Sequence, residues 1–409
     1  MQTFAEAGVS ARVLAALDRQ QINSPNQAQS ESIPPLLTGR DLVIQSPTGS
    51  GKTLAFLLPL LERLDPGRPG PRGLIVTPTR ELAIQVDSVF RELDSGLRTA
   101  LLYGGVGYRT QTEALRVGVD VVIGTPGRIL DMFSRKTFSL SRIEYMVLDE
   151  ADQMFDAGFA RDVERIIGLT YSPQTVLASA TMPDWVSRMI AKHLQEPVRV
   201  KVIAQGEPLL EHGLIRTDHG SKLRLLSDIL KQHNVAIVFG RTKHGVRKLN
   251  RDLQRMGHRS VELQGNMAQV ARDRVMENFR NGRADVLVAT NVAARGLDLS
   301  RVGLVVNYEL PDSPESMTHR VGRTARNGNA GRALTFITST DQEKWSNLRR
   351  QGAPALRTLD HAILTRDGSW SYLHEQSLVR SVVRRPATAA GTATATSRAG
   401  RRRRSRRPI

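Results

Sequence analysis

The chain has 409 residues, 40% of them hydrophobic, with no cysteine and a formal charge of +18 at pH 7. This length favours two domains with shorter extensions, and the lack of cysteine excludes disulfides, thiolate metal sites and cysteine nucleophiles. No apolar run approaches the roughly 20 residues of a membrane helix and the N-terminus has no signal-peptide pattern. We therefore expect a soluble cytoplasmic protein with no membrane partner.

The positive charge is concentrated at the C-terminus. Residues 376–409 contain ten arginines and no acidic residue. A basic body with a more basic tail indicates a polyanionic partner, most simply nucleic acid. The alternative is that the arginines only keep the protein soluble.

Near-continuous apolar runs of strand length alternate with segments of helical period. In chain order these predicted strands are 42–44, 74–76, 99–102, 119–123, 146–148, 176–177, 236–239, 261–263, 286–289, 304–307 and 333–337. Continuous rather than alternating apolar runs are typical of parallel strands covered on both faces. The pattern predicts two α/β domains.

Composition suggests where these domains end. The polar stretch 204–208 is the predicted hinge between a first domain of residues 1–205 and a second of residues 206–350, which a helix at 341–350 closes. Residues 351–385 form an extension of unassigned fold. Residues 386–409 are rich in alanine, threonine and arginine, which predicts a disordered tail that tethers nucleic acid non-specifically.

A candidate phosphate-binding loop follows the first predicted strand. Residues 46–53 read Ser-Pro-Thr-Gly-Ser-Gly-Lys-Thr, and a helical segment begins near Lys52. Glycines let backbone N–H groups approach phosphate, and the helix start adds its positive end. Lys52 is predicted to neutralise β- and γ-phosphate oxygens and Thr53 to ligate Mg²⁺. The predicted nucleotide-binding residues of the loop are Thr48, Gly49, Ser50, Gly51, Lys52 and Thr53.

The match to G-x-x-x-x-G-K-T fails at Ser46, which stands where the first glycine belongs. A purely structural glycine-rich turn is the alternative interpretation of this loop. The preceding strand and the following helix favour phosphate binding.

Two adjacent acids follow the strand that ends at residue 148. Asp149 stands where a carboxylate reaches a Mg²⁺ held by the phosphate loop, and Glu150 is placed to orient the attacking water and accept its proton. Acids are also common where helices begin, which is the alternative for this pair taken alone.

With these motifs in place, the chain resembles the DEAD-box RNA helicases from Phe4 to about residue 326. The string Asp-Glu-Ala-Asp at 149–152 names that family. The family's other motifs occur in its order at 78–83 (Pro-Thr-Arg-Glu-Leu-Ala), 104–105 (Gly-Gly), 125–128 (Thr-Pro-Gly-Arg), 179–181 (Ser-Ala-Thr), 269–272 (Gln-Val-Ala-Arg), 293–298 (Ala-Ala-Arg-Gly-Leu-Asp) and 319–326 (His-Arg-Val-Gly-Arg-Thr-Ala-Arg). The resemblance implies two tandem RecA-like domains that use ATP and Mg²⁺ and bind RNA.

The resemblance also assigns the remaining nucleotide contacts. Gln29 is implied to hydrogen-bond adenine and Phe4 to pack on its ring, although Phe4 alternatively anchors the N-terminus. Asp298 is implied to meet the ribose, and Arg323 and Arg326 to reach the γ-phosphate from the second domain. These two arginines share one face if their segment is helical, and surface charge is their alternative role.

The substrate side follows from the same comparison of motifs. The implied contacts to the RNA backbone are Arg80, Gly105, Thr125, Arg128, Arg272 and Thr290. The implied links between the ATP and RNA sites are Asp152, Ser179, Thr181 and His319. Aromatic residues make up only 5% of the chain, which favours sequence-independent backbone binding over base stacking.

The chain departs from the family pattern at Ser46, Gln264, Asn291 and Ala325, which replace a glycine, a histidine, an acid and a glycine. The expected activity is RNA-stimulated ATP hydrolysis coupled to interdomain closure and local unwinding of short RNA duplexes. An ATP-gated RNA clamp or ribonucleoprotein assembly scaffold with little unwinding is the alternative, and a DNA translocase is a third possibility.

Overall fold

The computed structural model describes residues 3–47, 49–202, 210–291, 301–325 and 330–359. The predicted hinge, Thr48, Asp298, Arg326 and all residues after 359 therefore lie outside the described residues. Within the described part, none of the helices has the length and apolarity needed to cross a bilayer.

The first domain is built on a seven-stranded sheet. Its strands are β1 (Leu42–Gln45), β2 (Gly73–Val76), β3 (Thr99–Leu102), β4 (Val121–Gly124), β5 (Tyr145–Leu148), β6 (Gln174–Ser179) and β7 (Val198–Lys201). Its helices are α1 (Ala11–Arg19), α2 (Gln27–Leu37), α3 (Lys52–Arg63), α4 (Arg80–Glu92), α5 (Tyr108–Val117), α6 (Pro126–Ser134), α7 (Ala151–Asp156), α8 (Ala160–Gly168) and α9 (Asp184–His193). All strand pairs are parallel, in the order β3-β4-β2-β5-β6-β1-β7.

The second domain repeats this plan. Its strands are β8 (Leu210–Arg216), β9 (Ala236–Gly240), β10 (Ser260–Leu263), β11 (Val286–Thr290), β12 (Leu304–Asn307), β13 (Gly331–Ile337) and β14 (Arg357–Thr358). Its helices are α10 (Lys222–Leu230), α11 (Lys243–Arg255), α12 (Gln269–Arg280), α13 (Pro314–Val321) and α14 (Gln342–Arg350), the last preceded by a 3₁₀ turn at Ser339–Asp341. The sheet is again parallel, in the order β10-β11-β9-β12-β13-β8-β14.

When the strands of each sheet are numbered from its own first strand, both sheets have the order 3-4-2-5-6-1-7. The two domains are therefore two copies of one topology, and each strand has a counterpart in the other half. The predicted α/β architecture with parallel sheets is confirmed, and every predicted strand overlaps an observed one.

Helices cover both faces of each sheet, which explains the continuous apolar runs. In β1, Leu42 and Ile44 pack into one core cluster and Val43 into the other, because successive side chains point to opposite faces. The second domain likewise has a cluster on each face. The strands that the pattern misses are β7 and β8, whose sequences mix polar with apolar residues, and β14, which consists of two polar residues.

The start of the predicted extension is part of the second sheet. Strand β14 pairs with β8, and Leu359 is buried against Gly213, where a Cβ atom would lie 2.1 Å from the Leu359 Cδ1. A glycine is needed there because any side chain would displace Leu359.

Candidate active site

Parallel strands bring the predicted nucleotide residues to one edge of the first sheet. The phosphate loop follows β1, the paired acids follow β5, and Ser179 ends β6, which lies between them. The Ser46 N–H donates to the Ser179 carbonyl at 3.1 Å. The loop and the acids therefore meet at the carboxyl edge of the sheet, where ligands bind in open α/β folds.

The phosphate loop has the backbone conformation that its glycines permit. Gly49 and Gly51 have φ of +83° and +80°, and α3 begins at Lys52 as predicted. The Lys52 Nζ donates to the carbonyls of Ser46 and Pro47 at 2.7 and 2.8 Å. Its ammonium group therefore lies over the loop, within reach of an anion held there.

Ser46, the departure from the glycine pattern, is accommodated by the loop. Its hydroxyl lies 2.7 Å from the Ser50 hydroxyl, and the residue is almost fully buried. A side chain at this position therefore adds a hydrogen bond within the loop instead of blocking it.

Gln29 links helix α2 to the phosphate loop through hydrogen bonds. With Asn26 it forms a capping box at the start of α2: Gln29 N–H donates to Asn26 Oδ1 at 3.1 Å, and Asn26 N–H donates to Gln29 Oε1 at 3.0 Å. The Gln29 Nε2 also donates to the Gly51 carbonyl at 3.3 Å. A change at Gln29 is thereby transmitted directly to the loop.

Replacing Gly51 with alanine is expected to destabilise the first domain and weaken nucleotide binding. A Cβ atom would lie 2.3 Å from Asn26 Nδ2 and 2.7 Å from Gln29 Nε2, and the left-handed backbone alone costs an L-residue about 1–2 kcal/mol. Thermal melts and ADP binding measure both effects. Gly67→Ala is the matched control, because Gly67 has φ +86° and no described atom lies within 4 Å of the point that its Cβ would occupy. Equal losses of stability and of ADP affinity in the two variants would contradict the predicted clash at Gly51.

Asp149 and Glu150 form a buried pair of acids. Burial raises the pKa of Asp149 to about 7, the Glu150 carboxylate adds to the rise, and Lys52 opposes it. Glu150 precedes α7 at φ +50°, and its Oε2 is buried without a hydrogen-bond partner among the described residues. Two crowded carboxylates beside one lysine fit a site completed by a divalent cation and a water.

Asp152 connects the first domain to the second. Its Oδ2 accepts from Thr181 N–H at 2.8 Å and from the Thr181 hydroxyl at 2.7 Å, and His319 Nε2 lies 3.4 Å away. Burial alone would raise the pKa of Asp152, but the contacts with His319 and Thr181 outweigh it and lower the pKa to about 2. The Ser179 hydroxyl accepts from Asp152 N–H at 3.3 Å. The four residues predicted to link the sites thus form one cluster.

A second contact crosses the cleft between the domains. Arg272 Nε donates to Glu81 Oε1 at 3.1 Å, a second guanidinium nitrogen contacts the same oxygen, and both side chains are largely buried. Arg80 Nε lies 3.9 Å from that carboxylate, and a Cβ atom on Gly105 would lie 2.7 Å from Arg80 Nη1. Two of the residues predicted to bind RNA, Arg272 and Arg80, therefore lie against Glu81, and a third, Gly105, lies next to Arg80.

The other predicted RNA contacts lie at strand ends or, for Arg128, in the first turn of the helix that follows β4. Arg128 donates to the Val106 carbonyl at 3.3 and 3.2 Å and lies 4.5 Å from the centre of the Tyr108 ring. Thr125 is the N-cap residue of α6, after β4, and Thr290 ends β11 in the second domain. Arg128 therefore also holds the loop that follows Gly105.

Arg323 lies two residues after the end of helix α13. Helix α13 ends at Val321, so the helical-spacing argument does not apply at Arg323. The residue is 2% exposed and its Nε donates to the His319 carbonyl at 3.2 Å. This bond places the guanidinium next to the Asp152 cluster.

The structure describes the surroundings of Phe4, whose predicted role has an alternative. Phe4 is 2% exposed in the core of the first domain, which fits the anchoring alternative. Its adenine contact, like the roles of Thr48, Asp298 and Arg326, stays a prediction.

Two of the remaining departures from the family pattern fit their local geometry, and the third, Ala325, does not. Asn291 Nδ2 donates to the Ser316 hydroxyl at 3.0 Å, and Gln264 Oε1 accepts from Asn266 N–H. Ala325 has φ +54°, where a glycine would be unstrained.

Sequence reasoning missed two residues of the site. Asn26 was detectable, because an asparagine three residues before a glutamine is a capping-box pattern. The role of Glu81 could not be predicted from the sequence, because its partner Arg272 is 191 positions away along the chain.

Comparison with known proteins agrees with this geometry. Residues 26–189 match the DEAD/DEAH box helicase family and residues 221–328 match the helicase conserved C-terminal domain. The DEAD-box ATP-dependent RNA helicase CshA of Bacillus cereus is 39% identical over 357 residues, covering 86% of this chain and 68% of that protein. The ATP-dependent RNA helicase DeaD of Escherichia coli is 42% identical over 356 residues, covering 85% of this chain and 57% of that protein.

Solved structures share the two-domain fold. S. cerevisiae Dbp5 bound to RNA and ADP BeF3 superposes with a TM-score of 0.80 at 28% identity, covering 94% of this chain and 100% of that one. Mss116p bound to ssRNA and AMP-PNP gives a TM-score of 0.78 at 25% identity, covering 87% of this chain and 78% of that one. The two parallel sheets are tandem RecA-like domains, and the chain belongs to the DEAD-box family of ATP-dependent RNA helicases, which are ATP-hydrolysing enzymes.

Proposed function

We propose that this helicase hydrolyses ATP when RNA and ATP together close its two domains, and that closure locally opens short RNA duplexes. The observation that carries the proposal is the contact between Asp152 of the first domain and His319 of the second. Asp152 lies two residues after Glu150 of the nucleotide site, and the His319 carbonyl accepts from Arg323. Closure therefore affects both halves of the nucleotide site.

In the first domain, Lys52 and the backbone of residues 49–51 hold the phosphates, and Gln29 selects adenine. Lys52 exchanges its bonds to the Ser46 and Pro47 carbonyls for bonds to phosphate oxygens. Thr53 and Asp149 hold Mg²⁺, which supplies charge neutralisation at the β- and γ-phosphates when it is bound.

Glu150 accepts the proton of the attacking water. Its Oε2 has no hydrogen-bond partner among the described residues, so the carboxylate is available to a water placed in line with the γ-phosphate. Arg323 and Arg326 stabilise the charge that develops in the transition state, and Asp298 meets the ribose.

On the substrate side, Arg80, Gly105, Thr125 and Arg128 bind the RNA backbone from the first domain. Arg272 and Thr290 bind it from the second. RNA as the ligand is supported by the related structures, since Dbp5 and Mss116p have been solved with RNA bound. Contacts of this kind position RNA without reading its sequence.

Because ATP and RNA each bridge the domains, each favours closure and so raises the affinity for the other. Loss of the γ-phosphate removes contacts to Arg323 and lets the domains separate. Asp152, Ser179, Thr181 and His319 transmit the state of one site to the other.

ATP hydrolysis with and without structured RNA, run beside strand displacement of a short duplex, tests this function. We expect stimulation by RNA and not by DNA, and ATP-dependent release of the shorter strand. Equal stimulation by DNA would indicate a translocase. Tight RNA binding with a non-hydrolysable nucleotide but no strand release would indicate an RNA clamp.

Removing residues 386–409 is expected to weaken RNA binding most at low salt while leaving ATP turnover at saturating RNA nearly unchanged. Each lost phosphate contact lowers the slope of log affinity against log salt by about 0.7–0.9. The measurement is a salt titration of RNA binding by the full and shortened chains, and an unchanged slope would contradict the tether.

A further inference from the structure

The net positive charge of the folded domains lies in the second domain, because the first domain is formally neutral. Residues 1–202 contain 22 Lys and Arg and 22 Asp and Glu, whereas residues 210–359 contain 25 basic and 14 acidic residues. A general requirement for solubility does not explain this asymmetry, because both domains have the same fold.

Much of the excess lies on helix α11. Its buried face packs on the sheet through Val246, Leu249 and Leu253. Its exposed face has a single acid, Asp252, beside five basic residues. The basic residues are Lys243, Arg247, Lys248, Arg251 and Arg255.

The spacing of these charges disfavours the isolated helix. Residues 243, 247, 251 and 255 follow one another at i,i+4, where like charges repel. Two of the arginines have a carboxylate nearby, Arg247 with Glu262 at 3.5 Å and Arg255 with Asp252 at 3.5 Å. In the described part of the chain, Lys248 and Arg251 make no ion pair. A row of repelling cations is stabilised when an anion binds along it.

The topologically equivalent helix of the first domain shows that the fold does not need this charge. Helix α4 follows the second strand of its sheet as α11 does, has the same length of 13 residues, and is also capped by a threonine, Thr79 in place of Thr242. Yet α4 contains two arginines and three acids. The basic surface is therefore a property added to one copy of a shared element.

Helix α11 begins at the edge of the sheet where RNA is expected. It follows β9, whose last residue Gly240 pairs in register with Thr290, a proposed RNA contact. From there its 13 residues run back along the domain for about 20 Å. At about 3.4 Å per nucleotide, that length corresponds to about six nucleotides.

We propose that the basic face of α11, formed by Arg247, Lys248, Arg251 and Arg255, binds the backbone phosphates of RNA that extends out of the interdomain cleft. The i,i+4 steps of about 6 Å place cations along a line, as a repeating polyanion requires. This inference rests on the proposed RNA binding at the cleft and adds a second, adjoining contact. This contact raises the affinity for long RNA without adding sequence preference.

The test compares the full chain with a triple variant, Lys248→Gln, Arg251→Gln and Arg255→Gln, on two RNAs. One is a short single strand that fills only the cleft; the other has about six more nucleotides at each end. For the long RNA, the slope of log affinity against log salt should become shallower by about 2, since three phosphate contacts are lost. Affinity for the short RNA and the ATP turnover it stimulates should not change.

The matched control neutralises Arg274, Arg280 and Arg283, which are exposed around α12 on the opposite face of the same sheet. An equal reduction of the salt slope in this control would overturn the proposal, because the change in net charge alone would then explain the effect. An unchanged salt slope in the α11 variant would also overturn it and would leave an acidic protein as the partner of this face. A variant with Arg251→Lys and Arg255→Lys should retain the original slope. If the parent chain binds neither RNA, the proposed function itself fails.

Discussion

Replacing Glu150 with glutamine is expected to leave ATP binding intact and to lower turnover by about 10²–10⁴. Glutamine keeps the size of the side chain but cannot accept the proton of the attacking water. The Asp149 carboxylate, which accepts from the Glu150 backbone N–H at 2.9 Å, stays in place. Single-turnover hydrolysis with saturating RNA, beside an equilibrium measurement of nucleotide affinity, separates the two effects.

Glu164→Gln is the control for this change, because Glu164 lies on α8, is partly exposed, and is 3.7 Å from Lys192, outside the site. Turnover by that variant should match the parent chain. If Glu150→Gln keeps most of its turnover, Glu150 is not the base.

Replacing Arg323 with lysine is expected to lower the rate of hydrolysis by about 10³–10⁵, the range of contributions from arginine fingers. Lysine keeps the charge but lacks the planar fork and the Nε donor that Arg323 gives to the His319 carbonyl. Binding of ATP to the first domain should weaken much less than turnover. Pre-steady-state hydrolysis at saturating ATP and RNA measures the loss.

Arg332→Lys serves as the comparison, since Arg332 lies on β13 of the same domain and is partly exposed, with Glu211 at 3.2 Å. This substitution should leave the rate unchanged. Rate loss that disappears at high ATP would show that Arg323 supports ground-state binding rather than the transition state.

Much of the architecture was predictable because it depends on properties of residues that are close together in the sequence. Runs such as 304–307 match their strand residue for residue, since a parallel strand buried on both faces is mostly apolar. The phosphate loop was predictable for a similar reason: glycines at 49 and 51 and a helix start at Lys52 are features of consecutive residues.

What escaped prediction depends on contacts between distant residues. Strands β7 and β8 mix polar and apolar side chains, so their sequences do not resemble the other strands. The pairing of Arg272 with Glu81 joins different domains and has no trace in either local sequence. The end of α13 before Arg323 shows the limit of spacing arguments, because Gly322 terminates the helix one residue earlier.

The ion pair between Arg272 and Glu81 also has a consequence for ligand choice. Any anion that recruits Arg272 must first separate it from a carboxylate in a largely buried setting. One phosphate group gains too little to offset that separation, whereas a polymer engages many groups at once. We expect the pair to set a threshold that free mononucleotides do not pass, which would leave the proposed RNA groove open to long chains.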